Sequence, residues 1–366
     1  MARRPPFAGV ARDVVARGEA LPHTEGAPRP EALPEPPDRG PLNPNLNPNL
    51  NPGRVRGLLR PVGRGDSAFR WLVTGMATAL LALTAVLFWE LYANARPLIA
   101  RDELSFITRD VWDSEHDVFG ARSLLFGTVA TSAIAVVLAV PVALGVALFT
   151  TEIAPRWLRR PVSSLVELLA AVPSVAFGFW GIVVLAPIMA RDLDPLLIKL
   201  LGWTGLFAAP QFGLSLFTAG VVLAIMILPI VAAISREVFT VVPRSQREAA
   251  LALGATKWES IRMAVLPYSR SGVIGAIVLG LGRAMGETMA VAFVIGSVPE
   301  FHKNLLAPGY SITALIANTF NEVSSTGHQL SALLYLALLL FFITLLVNVA
   351  ARLLVWRATA VSGGAR

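Results

Sequence analysis

The chain has 366 residues, of which 55% are hydrophobic, and its formal net charge at pH 7 is +7. This composition is too apolar for an ordinary soluble protein and is typical of an integral membrane protein. The sequence contains no cysteine, which excludes disulfide bonds and thiolate metal sites. The four histidines are scattered without the spacing of metal ligands, so we expect neither a metal ion nor another cofactor.

The first 66 residues predict a disordered cytoplasmic tail rather than a folded domain. Twelve of the chain's 26 prolines precede Gly53, and residues 42–52 repeat the motif Asn-Pro-Asn-Leu. A segment with so few large apolar side chains cannot bury enough surface to offset the entropy that it would lose on folding. No apolar core precedes Trp71, so the segment does not resemble a cleavable signal peptide.

Six apolar segments follow, each long enough to cross a membrane as a helix. We therefore predict an all-α membrane domain over residues 67–357, followed by a short cytoplasmic tail at residues 358–366. In the third segment, Pro173 is expected to interrupt the helical hydrogen-bond ladder, and Gly178 and Gly181 to admit a neighbouring helix or a cavity that excludes lipid. The six predicted spans are Trp71–Tyr92, Leu124–Phe149, Val162–Met189, Leu214–Ile234, Gly272–Gly296 and Leu330–Trp356.

The distribution of lysine and arginine predicts how these spans are oriented. If the N-terminus is cytoplasmic, 23 basic residues lie on the cytoplasmic side and seven lie in the outer loops. The excess persists without the N-terminal tail, at 12 against seven. Because cytoplasmic loops of membrane proteins are enriched in lysine and arginine, we expect both termini in the cytoplasm of a multi-pass plasma-membrane protein. The positive charge is thus explained by topology, and no nucleic-acid partner is expected.

A polar segment, Ser245–Pro267, separates the fourth and fifth spans and predicts a helix-turn-helix at the cytoplasmic face. Two capping boxes are present in its sequence, at Ser245-x-x-Glu248 and Thr256-x-x-Glu259. Gly254 is placed to end the first helix in a left-handed conformation, and Pro267 is expected to stop the second. A plain connecting hairpin with two good caps is the alternative interpretation of the same pattern.

The sequence holds no ATPase motif of the phosphate-cradling type, which requires Gly-Lys-Ser/Thr after a glycine-rich loop. Its only lysines, Lys199, Lys257 and Lys303, follow Ile, Thr and His. We therefore expect that the chain is not an enzyme, and that any ATP that drives it is hydrolysed on a separate subunit.

The fifth span carries two charged residues, Arg283 and Glu287, in the run LGLGRAMGETMAV. Charged groups at this depth are costly and usually face a bundle interior or a water-filled cavity. Their spacing would place both on one helix face, so a private ion pair is an alternative, although this order is the less favourable one. A guanidinium offers the planar donor pair that suits an oxyanion. Near the cytoplasmic end of the third span, Glu167 is a further candidate, with snorkelling to water as its alternative.

These motifs resemble those of a known family of importers. Glu248-Ala249-Ala250, Gly254 and Leu266-Pro267 are similar to the EAA loop, through which permeases of ABC importers dock onto an ATPase subunit. The runs VPSVAFGFWG (172–181) and GRAMGETMAV (282–291) resemble the PstC-type permeases of phosphate-specific ABC importers, and the resemblance covers about Asp66–Trp356. It implies a permease fold of about six transmembrane helices with a cytoplasmic coupling loop.

The resemblance also implies partners and residue roles. The working unit would contain a second, sister permease, two copies of an ATP-binding cassette ATPase and an extracytoplasmic phosphate-binding protein. Inorganic phosphate would pass Arg283, Glu287 and Thr288, with Glu167 as a further pathway candidate. The ATPase would contact the coupling loop at Glu248, Ala249, Ala250, Gly254, Leu266 and Pro267.

Three alternatives stay open at this point. The solute could be another oxyanion of the sulfate or molybdate type, although phosphate near neutral pH keeps a proton that it could donate to Glu287, whereas sulfate keeps none. An ion-coupled secondary transporter could use Arg283 and Glu287 as a relay, and inverted repeats would favour it, but none is evident. A structural membrane protein could bind a cytoplasmic partner through Ser245–Pro267 without transporting a solute.

Overall fold

The computed structural model describes residues 64–102, 105–209, 212–323 and 328–363. The tail predicted at residues 1–66 therefore lies outside the described residues, apart from its last three positions. Contacts along the chain divide it into two units, Met1–Gly75 and Met76–Arg366, and the helix bundle described below belongs to the second unit.

The described residues are mostly helical and contain isolated bridges but no β-strand, which confirms the predicted fold class. We number the α-helices in chain order. They are α1 Arg64–Asp102, α2 Ser105–Thr108, α3 Arg122–Leu148, α4 Arg156–Ala171, α5 Ser174–Trp180, α6 Ala186–Ile188, α7 Asp194–Leu201, α8 Leu216–Thr240, α9 Arg244–Ala252, α10 Lys257–Ser260, α11 Leu266–Gly286, α12 Met289–Val294, α13 Ile312–Thr319 and α14 Gln329–Gly363.

Short π-helical turns join several of these helices into longer ones. As a result, six continuous helical stretches in the described part of the chain are long and apolar enough to cross a membrane, which confirms the predicted number of spans. They are Ser67–Arg101, Arg122–Ile153, Ser174–Thr204, Leu216–Thr240, Lys257–Gly286 and Gln329–Leu353.

Helix α8 is at the centre of the bundle, where it packs against α3, α11 and α4. Glycines on its neighbours allow the helices to come close, as small residues do between membrane helices. A Cβ added at Gly280 would lie 2.7 Å from Val231 Cγ2, and one added at Gly178 would lie 2.7 Å from a ring carbon of Phe293. The expectation that Gly178 admits a neighbouring helix is therefore confirmed, and Gly181 contacts Val294 of the same helix, α12.

The predicted third span, Val162–Met189, is wrong at its start. Its first part belongs to α4, a separate amphipathic helix that ends where Val172 becomes extended, with φ −66° and ψ 128°. The span itself begins at Ser174. The cause is Pro173, which has no backbone N–H and disfavours helical geometry at the residue before it. The interruption expected at Pro173 is thus confirmed, but it separates two helices rather than kinking one.

The predicted bounds of the fifth span, Gly272–Gly296, are wrong, because both lie further along the chain than the observed ones. The structure has one helical stretch over Lys257–Gly286, followed by an interruption and the short helix α12. The expectation that Pro267 stops a helix is also wrong. A π-turn at Ile261–Val265 leads directly into α11, in whose first turn Pro267 lies.

Between α12 and α14 the chain folds back against the bundle. Helix α13 packs against α3, α12 and α14, and its first residues Ile312 and Ala314 are fully buried. The backbone N–H of Ile312 donates to the Thr128 hydroxyl of α3 over 3.0 Å. The sequence analysis predicted no helix between the fifth and sixth spans, and the contacts of α13 place it beside the interrupted fifth span.

Candidate functional site

The fifth span is interrupted at Glu287, four residues after Arg283. Helix α11 ends at Gly286, and the backbone of Glu287 is extended, with φ −72° and ψ 132°. The hydroxyl of Thr313 on α13 donates to the Glu287 carbonyl over 2.7 Å, so the opened backbone has a partner from another helix. The expectation that Arg283 and Glu287 share one helix face is therefore wrong, because Glu287 lies beyond the end of the helix.

Arg283 and Glu287 nevertheless line the same cavity, whose volume is about 590 Å³. We call it the membrane cavity. It lies between α8, α11 and α14, and its other lining residues include Gly282 and Gly286. A Cβ added at either glycine would meet no atom within 4 Å. These two glycines thus leave open space beside the charged groups.

The two charges do not form an ion pair. Among the described residues, no carboxylate oxygen lies within salt-bridge distance of the Arg283 guanidinium, and that group makes no hydrogen bond. One carboxylate oxygen of Glu287 accepts only a long bond, 3.4 Å, from the Ala290 N–H. The alternative of a private ion pair is therefore not supported. An unpaired guanidinium and a carboxylate on one cavity can bind an anion that both accepts and donates hydrogen bonds.

Asn348 on α14 also lines the membrane cavity, and sequence reasoning missed it. Its amide nitrogen donates to the Thr344 carbonyl one turn earlier, over 2.8 Å, which leaves the amide oxygen free to accept. An amide within a long, mostly apolar span was the signal that could have identified it, because polar groups at that depth usually serve a function. Thr288 follows the interruption and is half-buried, but it is not among the residues that line the cavity.

Glu167 does not join Arg283 and Glu287. It lies on α4, outside the membrane-spanning stretches, and its side chain is 61% exposed. Its carboxylate pairs with the guanidinium of Arg236 on α8 over 3.1 Å. The structure thus places this candidate in a contact between α4 and α8, away from the membrane cavity.

The predicted helix-turn-helix at Ser245–Pro267 is present, and we call α9, its turn and α10 the coupling hairpin. Gly254 has φ +84°, the left-handed conformation that glycine adopts without strain. The N–H of Gly254 donates to the Leu251 carbonyl and that of Ala255 to the Ala250 carbonyl, which together form a Schellman motif. The expected end of the first helix is therefore confirmed.

One of the two predicted capping boxes is present. The Thr256 hydroxyl accepts from the Glu259 N–H while the Glu259 carboxylate accepts from the Thr256 N–H. The prediction of a second capping box, at Ser245-x-x-Glu248, is wrong. Helix α9 already begins at Arg244, after Pro243, and no side chain caps its start. Pro243 has no N–H of its own and a fixed φ, so it can start the helix one residue before Ser245.

The coupling hairpin exposes apolar side chains at the end of the bundle. Leu253 is 90% exposed and Trp258 is 62% exposed, and Glu248 and Ala249 are exposed beside them. An exposed apolar surface with a polar rim is typical of a protein–protein contact.

Arg247 fixes the coupling hairpin to the bundle, and the sequence analysis did not single it out. Its guanidinium pairs with Glu152, at the end of the second span, over 2.8 Å. It also donates to the carbonyls of Val242 and Phe239, each over 2.7 Å. Both partners of the ion pair are largely buried, with 21% and 15% of their side chains exposed. No local pattern relates two residues that are 95 positions apart.

We expect Arg247→Gln to loosen the coupling hairpin. The change removes a charged partner from a partly buried Glu152, and loss of such a bond costs about 1.5–3 kcal/mol. Amide hydrogen exchange over residues 244–260 of the full chain should therefore accelerate at least about tenfold. Arg244→Gln, on the same helix but without an ion pair to described residues, is the control and should leave the exchange nearly unchanged. Equal exchange in both variants would contradict the anchoring role.

Comparison with known proteins agrees with this architecture. Residues 139–359 match the family described as "Binding-protein-dependent transport system inner membrane component". The chain is 44% identical to "Phosphate transport system permease protein PstC" of Pasteurella multocida over 293 residues, which are 79% of this chain and 91% of that protein.

Two further relatives come from other bacteria. Identity to the protein of the same name from Xylella fastidiosa strain 9a5c is 45%, over 82% of this chain and 93% of the relative. "Phosphate transport system permease protein PstC 2" of Mycobacterium tuberculosis is 44% identical over 84% of this chain and 94% of its own length. With the interrupted fifth span, the membrane cavity and the coupling hairpin in place, the chain belongs to the inner-membrane components of binding-protein-dependent transport systems and, within them, to the PstC-type permeases.

Proposed function

We infer that this chain is the permease subunit of an ATP-driven ABC importer that carries inorganic phosphate across the plasma membrane. The observation that carries this function is the membrane cavity, where Arg283 and Glu287 face one space without neutralising each other. The similarity to phosphate permeases over about four-fifths of the chain supports the choice of solute. As a permease the chain does not itself hydrolyse ATP. The hydrolysis takes place in a separate subunit.

Arg283 binds the oxygens of phosphate, and Glu287 accepts a hydrogen bond from the O–H group that phosphate keeps near neutral pH. A guanidinium can hold two oxygens at once through parallel N–H bonds. A fully deprotonated anion such as sulfate would instead meet the Glu287 carboxylate as a bare like charge. This pairing favours phosphate over the other oxyanions. Thr288 directly follows Glu287, and on that adjacency alone we include it in the proposed route.

An interrupted membrane helix beside a solute site also occurs in secondary transporters, but nothing else favours that function here. The matched family consists of components of binding-protein-dependent systems, which take their solute from a separate binding protein. The exposed coupling hairpin is likewise expected in an importer whose energy comes from a partner.

The test of this function is uptake of phosphate into proteoliposomes that contain the assembled complex. We expect ATP-dependent uptake only when this chain, a sister permease, two ATPase copies and the external phosphate-binding protein are all present. Uptake that continues without ATP but depends on an ion gradient would instead indicate a secondary transporter.

We assign the ATPase contact to the coupling hairpin. Glu248, Ala249 and Ala250 lie on α9, where two small side chains let a partner surface approach closely. Gly254 sets the angle between α9 and α10. Leu266 and Pro267 begin α11, so a displacement of the hairpin is passed into the span that ends at Arg283 and Glu287.

We propose that both termini and the coupling hairpin face the cytoplasm, as the excess of basic residues on that side supports. The chain contains no cysteine, so single cysteines can report topology. Trp203→Cys and Leu253→Cys replace side chains that are 85% and 90% exposed. In intact cells an impermeant maleimide should label position 203 and leave position 253 unlabelled until the membrane is permeabilised. The opposite labelling would reverse the proposed orientation.

A further inference from the structure

A second cavity, of about 780 Å³, lies beside the coupling hairpin, and it shares no lining residue with the membrane cavity. We call it the arginine cavity. Its walls come from α4, the end of the second span, the end of α8 and the start of α9. Its charged lining residues are Glu152, Arg159, Arg160, Arg236, Arg244 and Arg247.

The charges of the arginine cavity are not balanced by the protein. Glu152 pairs with Arg247, and Glu167 from outside the cavity pairs with Arg236. Among the described residues, no carboxylate pairs with Arg159, Arg160 or Arg244. Three guanidinium groups whose charge no carboxylate compensates therefore face one space, and one of them, Arg159, also donates to the Thr151 carbonyl over 3.1 Å. A concave site with such an excess of positive charge concentrates anions.

Hydroxyl groups complete an anion-binding set. Ser163 and Ser164 on α4 line the arginine cavity and make no hydrogen bond to described residues. The hydroxyls of Thr150 and Thr151, by contrast, already donate to carbonyls of α3. Guanidinium groups with adjacent hydroxyl donors are the groups that bind phosphate oxygens in proteins.

We propose that the arginine cavity binds a phosphate group. The ligand is a phosphate group, either free or esterified in a lipid headgroup, that reaches the membrane face of the coupling hairpin. Two sources offer this chemistry. One is free inorganic phosphate. The other is the headgroup of an anionic phospholipid, because Trp157, Leu165 and Leu168 of α4 are 74%, 64% and 66% exposed beside the arginines, as on a helix that lies in a lipid interface.

Amide hydrogen exchange of the purified full-length chain tests this site separately from the membrane cavity. In lipid-free detergent, inorganic phosphate is titrated in one arm. In the other arm, phosphatidylglycerol or phosphatidylcholine is added to the micelles. We expect exchange over residues 156–168 to slow with phosphate, with phosphatidylglycerol or with both, and to respond less to phosphatidylcholine. Residues 278–290, which border the membrane cavity, report separately on the solute route.

The decisive variant is Arg159→Gln with Arg160→Gln, and the matched control is Arg156→Gln with Arg262→Gln, which removes two charges outside the arginine cavity. Loss of two charge-assisted donors should raise the apparent Kd for the active ligand by about tenfold or more in the first variant. The control should change it less than about twofold, since surface charges contribute little. Exchange over α8 without ligand shows that each variant is folded.

The arms identify the source of the phosphate group. An effect of inorganic phosphate assigns a soluble ligand, and an effect of phosphatidylglycerol alone assigns a lipid headgroup. The proposal is overturned if neither ligand slows exchange over residues 156–168, or if the decisive variant and the control respond equally. Neither negative result bears on phosphate uptake through Arg283 and Glu287.

Discussion

Arg283→Gln is expected to reduce phosphate uptake by about a hundredfold while the complex still assembles. The change removes the charge and the planar donor pair at the membrane cavity, and two charge-assisted hydrogen bonds together are worth about 3 kcal/mol. Uptake into proteoliposomes measures the loss. Arg270→Gln, on the same helix but away from the membrane cavity, is the control and should keep nearly full uptake.

The double change Arg283→Gln with Glu287→Gln distinguishes a role of the two residues in binding the solute from a role in neutralising each other's charge. If the two charges served only to neutralise each other, removing both would restore much of the lost uptake. The structure shows no such pair among the described residues, so we expect the double variant to stay inactive while it assembles normally. Recovery of phosphate uptake would falsify the site assignment.

Glu287→Gln alone should change the choice of anion, because its amide can donate to a fully deprotonated oxyanion. The external binding protein selects its own ligand, so selectivity is measured by direct anion binding to the purified full chain. We expect the ratio of sulfate to phosphate affinity to rise by about tenfold, as one charge-assisted bond is exchanged for a neutral one. An unchanged ratio would remove Glu287 from the selection of the solute.

The second large effect is expected at the coupling hairpin. Gly254→Val should abolish solute-stimulated ATP hydrolysis in the assembled complex, because valine is strained at φ +84° and the Schellman motif would open. Gly254→Asn is the matched control, since asparagine tolerates the left-handed conformation, and it should retain a substantial part of the stimulation. Membrane insertion should survive in both variants.

A steric change on α9 tests the same contact without altering the turn. Ala250→Arg places a long side chain where we propose that the ATPase approaches closely, and it should also abolish stimulation. Normal stimulation in both Ala250→Arg and Gly254→Val would return the hairpin to a plain connection between spans.

The sequence predicted those features of the fold that depend only on residues close together in the chain. Hydropathy predicted six spans because each needs only its own apolar length. Gly254 and the capping box at Thr256 were predictable because all the atoms involved lie within a few residues. At Ser245 the same motif failed, since Pro243 starts the helix earlier, and two competing local signals are hard to rank without the structure.

Features that depend on distant partners could not be predicted in this way. The interruption at Glu287 coincides with a hydrogen bond from Thr313, 26 residues away, and the surrounding run reads as an unbroken helix. Glu152 and Arg247 lie in separate polar segments, and neither segment indicates the other. In the membrane cavity the sequence identified Arg283 and Glu287 from the cost of burying charge, but Asn348 joins them only through the packing of α14.

The continuous helical stretch from Lys257 to Gly286 has a mechanical consequence. At about 1.5 Å per residue, its 30 residues make a rod about 45 Å long, with the proposed ATPase contact at one end and Arg283 near the other. A stiff rod converts a small tilt at its base into a larger sideways stroke at its tip. The π-turn at Ile261–Val265 interrupts its regular α-helical geometry. Under the proposed function, the leverage that ATP hydrolysis exerts on the phosphate route would therefore depend on how firmly those five residues resist bending.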